Sequence, residues 1–336
     1  STMFGTFIGY PGAVSAVGGV ALEGRLYATA GAIAVSNMAA AIPVVTPVYN
    51  YLGSHTTNGT PLYLEDPSDV VSVETLETIS NALPESYPVP DYNPQYITSG
   101  YDTDLKIETN TDVWVTFISE GTGYRNVLGF YTYDLNIPPT TTPTKDDIYI
   151  IFPNVSALGS GGGLQVGDKV NIGNFEANTG IGWVLLANAW SSSEQTVGTG
   201  FWEFYSNPNF NPEGDSTLRT HNVLLSDPIN ERIVLGFEDM RRDNASSDQE
   251  FNSAIFYVTV NQYDAINTNN FSDIAEASDV TSAYDGGLES NGTLANIIAK
   301  RNFRREKEGD LKNKKEKQLK FNKTELQLKS TVNSLI

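Results

Sequence analysis

The residues with the clearest chemical potential lie between Leu235 and Tyr257, in the run LGFEDMRRDNASSDQEFNSAIFY. An apolar stretch delivers Glu238 and Asp239 to a loop. Nine residues after Asp239 comes Asp248, followed by Glu250 and Asn252, and a second apolar stretch starts at Ala254. A pleated chain would place Asp248, Glu250 and Asn252 on one side and turn Phe251 to the other, into the core. Oxygen side chains at i, i+2 and i+4 beside an upstream Glu-Asp pair suit a hard cation. Calcium takes roughly six to eight oxygens and accepts loop carbonyls and water, so calcium is the expected cofactor. The expected ligands are Glu238, Asp239, Asp248, Glu250 and Asn252. Magnesium and zinc fit less well on ligand number and type. The alternative is an acidic surface hairpin, hydrated and empty.

Other chemistries find little support. The chain has no Cys, which removes disulfides, thiolate nucleophiles and cysteine metal sites. With two histidines, His55 and His221, a multi-histidine metal centre is excluded. Gly159–Gly163 (GSGGG) lacks the Gly-Lys-Ser/Thr ending of a phosphate loop and reads as a hairpin tip. No Gly-x-Ser-x-Gly elbow occurs. His221 is expected to be a satisfied or exposed histidine rather than part of a triad. Glycoside hydrolysis needs two opposed carboxylates. Glu203 alone has an aromatic setting, and alternation puts Trp202 and Phe204 in the core with Glu203 outside. Trp183, Trp190, Trp202 and Tyr205 would make a sugar-stacking platform if two shared an exposed face, with core packing as the competing reading. No catalytic residue is assigned, and the chain is expected not to be an enzyme.

The balance of charge limits partners. The 336 residues hold 21 Lys+Arg and 40 Asp+Glu, a net −19. Nucleic acid and anionic membrane surfaces are therefore not expected partners, because like charge repels. No apolar run is long enough to span a bilayer, so direct membrane insertion is not expected either. The charge is uneven. Lys300–Lys329 carries +7, and the rest of the chain −26.

The elements that must position these residues read as follows. Residues 101–262 show nine short apolar or alternating runs: Asp112–Ile118, Asn126–Tyr133, Ile148–Phe152, Lys169–Ile172, Gly182–Ala187, Phe201–Tyr205, Asn222–Leu225, Arg232–Phe237 and Ala254–Val260. Turn residues separate them, and nothing in this block reads as helical. The spacing predicts a β-sandwich, jelly-roll-like. Residues 46–100 read as a Pro/Tyr-rich connector, with a short helix over Val70–Leu83 capped by Ser72 or Ser68. Tyr87–Tyr96 is expected to be extended and packed through its aromatic rings. Residues 1–45 are small, apolar and almost uncharged. They read as short strands broken by Gly24 and Gly31, the end of a β-solenoid or strands that pair with a partner, with a helix over Ala28–Ala41 as the competing reading. Residues 263–336 read as a linker and a basic, weakly helical or disordered tail. The chain is expected to be a piece of a longer precursor.

Three stretches resemble known families. Leu22–Leu26 (LEGRL) followed by Thr29–Ile33 (TAGAI) resembles the last coils of ice-binding-like β-solenoids of secreted bacterial proteins, without the Thr-rich face that binds ice. Residues 110–262 resemble a secreted bacterial β-domain, the domain-of-unknown-function family 4114. The matching residues are Gly236-Phe237-Glu238-Asp239, then Asp248, Phe251 and Asn252, with Asn126–Tyr131, Gly167–Val170 and Gly182–Asn188. That family's signature carries Asp where Glu250 stands and usually a final Asp where Ser253 stands. One carboxylate is lengthened and one lost, which implies either a calcium site of lower affinity or a vestigial one. Gly286–Gly292, leading into Ala299–Asn302, resembles a segment of long proteins exported by the type IX route of Bacteroidetes.

Together these imply an all-β, extracellular, non-enzymatic surface, filament or adhesin protein with a calcium-stabilised sandwich. Its expected partners are other copies or modules of the same assembly, and surface glycans in the alternative reading as a carbohydrate-binding module. A glycoside hydrolase is the third reading.

Overall fold

The computed structural model describes residues 48–98 and 100–278. The expected solenoid or partner-pairing strands of residues 1–45 and the basic tail beyond residue 278 lie outside the described residues.

The chain enters through a short strand β1 (Asn50–Tyr51), then helix α1 (Val73–Ala82) and a single helical turn α2 (Val89–Tyr92). Strands β2 (Leu105–Lys106), β3 (Thr111–Glu120), β4 (Val127–Asp134), β5 (Tyr149–Phe152), β6 (Lys169–Phe175) and β7 (Thr179–Ala187) follow. The rest are β8 (Trp190–Ser191), β9 (Thr196–Val197), β10 (Trp202–Tyr205), β11 (Asn222–Asp227), β12 (Arg232–Phe237), β13 (Ala254–Val260) and β14 (Ser272–Asp273). All nine expected strands are present.

Two six-stranded sheets make a β-sandwich. One runs β1-β5-β4-β7-β10, with β2 sharing the β10 edge of β7; the other runs β14-β11-β12-β13-β3-β6. The strands are mostly antiparallel; β1 with β5 and β11 with β14 are parallel. The path is jelly-roll-like, since the chain crosses between the sheets after β2, β3, β5, β6 and β10.

Pleat alternation explains the layers. In β7, Ile181, Trp183 and Leu185 face the inter-sheet core, where they meet Val113, Val115 and Phe117 of β3 and Phe256 of β13. Phe152 of β5 stacks on Phe256 with ring centroids 5.7 Å apart. The outer faces are covered as well. Val184 and Leu186 of β7 lie under Tyr49, Trp190 and Tyr205. Val223, Val234, Ile255 and Tyr257 of the second sheet lie under Leu76, Ile79, Leu83 and Tyr96.

Residues 49–98 therefore cover both sheets. In α1 the Ser72 side chain accepts from the Thr75 N–H at 3.2 Å, and the helix buries Leu76, Ile79 and Ala82 on one side. The expectation of an extended Tyr87–Tyr96 fails. The segment coils into α2 and a 3-10 turn over Pro94–Ile97. Pro90 and Pro94 sit in the first turns, where a missing N–H costs nothing, so prolines that read as extended chain start helical turns instead. Residues 263–278 continue the body, with Ala265, Ile266, Phe271 and Ile274 buried.

Candidate functional site

Three segments converge on the loop between β12 and β13. Glycine permits the approach. A Cβ on Gly236 would lie 2.5 Å from the Phe251 carbonyl oxygen and 2.6 Å from Leu83, and one on Gly121 would lie 2.9 Å from the Asn252 carbonyl oxygen. The stretch after α1 closes a third side. Val89 N donates to Gln249 O at 2.9 Å, and Ser86 N donates to Glu250 Oε1 at 2.6 Å. Phe251 is fully buried beneath, in the cluster under α1.

The chain is not pleated here. Gln249 and Phe251 take φ of 55° and 57°, and Ser86, facing them, 70°. Non-glycine residues in the left-handed region are costly and persist only where the surroundings hold them. Two such residues in five break the expected alternation, and the five predicted ligands fall into two groups joined by Asp248.

The first group is Glu238 and Asp239, which β12 carries into the interior. Glu238 is 2% exposed. Its Oε1 accepts from Ser247 Oγ at 3.1 Å and Met240 N at 3.3 Å, while its Oε2 is buried with no protein partner. Asp239, also buried, accepts from Asn126 Nδ2 at 2.7 Å through Oδ2, and its N–H donates to Ser253 Oγ at 3.3 Å. The second group is Glu250, buried, and Asn252, whose Nδ2 donates to Glu250 Oε2 at 3.0 Å. Asp248 is exposed at the rim, accepts from Glu250 N at 3.4 Å, and acts electrostatically on both groups.

Burial, with Asp248 and Asp239 nearby, pushes Glu238 up to about 8. Burial also raises Asp239, against hydrogen bonds from Asn126, Thr122 and Ser253. Glu250 rises to about 7 through burial and the charge of Glu85. A loop that raises three carboxyls disfavours its own ionisation, and a cation would relieve it. Among the described residues, no three acidic or histidine side chains converge into a ready metal cage. Holding a cation therefore requires side-chain rotation within the group.

Residues that sequence reasoning missed complete the setting. Glu85 lies 3.4 Å from Asn252 Nδ2, across 167 residues of chain, and no local pattern could have found it. Asn126 lies in a stretch matched to the family resemblance, but nothing in its spacing points to Asp239. Behind the loop is a buried charged cluster. His221 Nε2 lies 2.9 Å from Glu213 Oε1 and Nδ1 lies 3.0 Å from Glu238 O, and the ring stacks on Phe204 at 3.8 Å. Burial pushes Glu213 up, but the hydrogen bond and charge of His221 outweigh it and hold the carboxyl below its usual range. Arg242, buried over Phe251, donates to Gln249 Oε1 and to the Thr217 and Thr220 carbonyls, which braces the loop from inside.

The other candidates resolve simply. Glu203 accepts from Tyr49 Oη at 3.2 Å and Tyr205 Oη at 2.7 Å. Trp183, Trp190 and Tyr205 are buried, so the stacking platform drawn from them does not form. Trp202, expected in the core beside Phe204, is instead 40% exposed, with the Arg241 guanidinium 4.9 Å from its ring centroid. It is the first residue of a short strand on the sheet edge, beyond the cover of the facing layer. Gly159–Gly163 forms a tight turn between bridges at Ala157–Leu164 and Leu158–Gly162.

Residues 175–261, from the end of β6 through β13, match the family described as a domain of unknown function (DUF4114). This covers the acidic loop and its flanking strands. No curated protein and no solved structure matches the chain.

Proposed function

We propose that this chain is a non-enzymatic structural module of a secreted bacterial surface, filament or adhesin protein, in which calcium binds and locks the loop from Glu238 to Asn252. The observation that carries the reading is Glu238 Oε2, an acceptor buried with no partner beside Asp239 and Asp248. A buried acceptor left unpaired costs about 1–3 kcal/mol, more when charged, and a calcium ion would satisfy it. Asp248 at the rim and Asp239 inside are the natural co-ligands, with Glu250 and Asn252 recruited as the loop closes. Lacking one carboxylate at Ser253, the site belongs with weak calcium sites of about 10⁻⁴–10⁻³ M, the range of extracellular modules. Such a site fills only where calcium is millimolar, which agrees with a secreted protein. The surface role, and assembly with other copies or modules, rest on the sequence resemblances.

The experiment is thermal melting in 1 mM EDTA, in 5 mM CaCl2 and in 5 mM MgCl2. Binding to the folded chain alone raises the melting temperature, so calcium should raise it by several degrees and magnesium by much less. Identical melts in EDTA and calcium would remove the proposal.

A further inference from the structure

The helical cover over the second sheet does not reach the far end of β13. Past Tyr257 the outer face lies open as a trough of about 490 Å³, within the roughly 300–1,000 Å³ of small-molecule sites. Trp114 of β3 and Thr259 of β13 are cross-strand partners on its floor. The Asp69-Val70 segment forms one wall, with Val70 98% exposed, and the β11–β12 turn at Asn230 the other.

Lys169, Asp69 and Arg232 in the lining are already matched, while Glu231, exposed on the β11–β12 turn, has no ion pair among the described residues. Lys169 Nζ is 2.9 Å from Asp69 Oδ1 and 5.4 Å from the Trp114 ring centroid. Asp69 also accepts from Thr116 and Tyr257. Arg232 Nε is 2.8 Å from Asp227, and its guanidinium lies 5.3 Å from the Tyr257 ring centroid. One unmatched carboxylate repels a phosphate and is too few for a metal ion. The other unused groups are neutral and of both kinds. Asn261 uses its carbonyl oxygen on Thr111 and the Asp112 N–H, which leaves its amide N–H groups. Asn230 uses its N–H groups on Asp227, which leaves its carbonyl oxygen.

An indole beside uncharged donors and acceptors matches a pyranose, whose hydroxyls both donate and accept and whose C–H face packs on aromatic rings. We propose that this trough binds a neutral oligosaccharide, with Trp114 as the packing ring and Asn261 and Asn230 as hydrogen-bonding groups. The acidic loop lies at the other end of β13, about 20 Å away at the usual rise per residue, so binding does not require calcium.

The test is saturation-transfer NMR on the full chain in EDTA, with cello-, xylo-, manno-, laminari-, malto- and chitotetraose as probes. At least one should bind the native chain. Trp114→Ala should weaken that probe tenfold or more, and Trp202→Ala, at an exposed tryptophan outside the trough, should leave it unchanged. Asn261→Asp keeps the oxygen that accepts from Thr111 and Asp112 but loses the amide N–H groups, so it should fold as the native chain does yet bind severalfold more weakly; it decides the matter if Trp114→Ala fails to fold. Binding by none of the six, or native affinity in Asn261→Asp, overturns the proposal.

Discussion

The raised acidity constant of Glu238 predicts a definite dependence of stability on pH. In the folded chain this carboxyl holds its proton up to about 8, against an ordinary value of 4.5. Between those values the unfolded chain has released a proton that the folded chain still holds. Stability from this group is therefore complete below pH 4.5 and is lost as pH rises through 8. From pH 5 to pH 8 the loss is on the order of 3 kcal/mol, which lowers the melting temperature by about 6–12 °C for a body of this size. Calcium acts in the opposite direction. At 10 mM, about 10–100 times the dissociation constant proposed above, it restores about 1.4–2.7 kcal/mol. Melts from pH 5 to pH 8 in EDTA should slope downwards, and 10 mM calcium should make the slope clearly shallower. Glu238→Gln keeps the shape without the charge, so it should lose the share of the slope due to Glu238, with Glu250 still contributing through its own rise to about 7, lose most of the calcium response, and melt above the native chain at pH 8 in EDTA. A native chain equally stable at pH 5 and pH 8 in EDTA would refute the reasoning, as would a Glu238→Gln variant that keeps the full calcium shift.

Other perturbations give sharp outcomes. Ser72→Ala removes the cap of α1 and should cost about 1 kcal/mol, seen as a fall of roughly 2–4 °C in melting temperature. Gly236→Ala forces a methyl group to within 2.5 Å of the Phe251 carbonyl; it should cost about 1–3 kcal/mol and reduce the calcium-induced shift more than Ser72→Ala does. His221→Ala strips the buried Glu213 of its partner and should cost about 3–5 kcal/mol, so a fall of less than 2 °C would show that the pair contributes little.

How much of this was legible in the sequence follows from what sets each feature. The nine strands were readable because their apolar residues repeat with the pleat and turn residues separate them. Helix α1 was readable because Ser72 precedes apolar residues at helical spacing. The coiling of Tyr87–Tyr96 was not, since a proline's preference for a helix's first turn shows only once the helix is known. The acidic loop was found as a set of residues but not as a shape. Around its left-handed Gln249 and Phe251, Val89 bonds Gln249, Ser86 bonds Glu250, and Leu83 shares the buried cluster of Phe251, all more than 150 residues away in the chain and invisible to local pattern. The same distance hid Glu85. Trp202 was misplaced because alternation gives the side a residue faces but not whether the opposite sheet extends far enough to cover it.

The most direct measurement is a crystal structure of the full chain grown in 10 mM calcium chloride, with data collected at long wavelength for the anomalous signal of calcium. The expected result is a single strong anomalous peak bounded by Glu238, Asp239 and Asp248, with Glu238 Oε2 within about 2.3–2.6 Å of it. A map with no peak there, and Glu238 Oε2 still buried without a partner, would contradict calcium as the element that completes this loop.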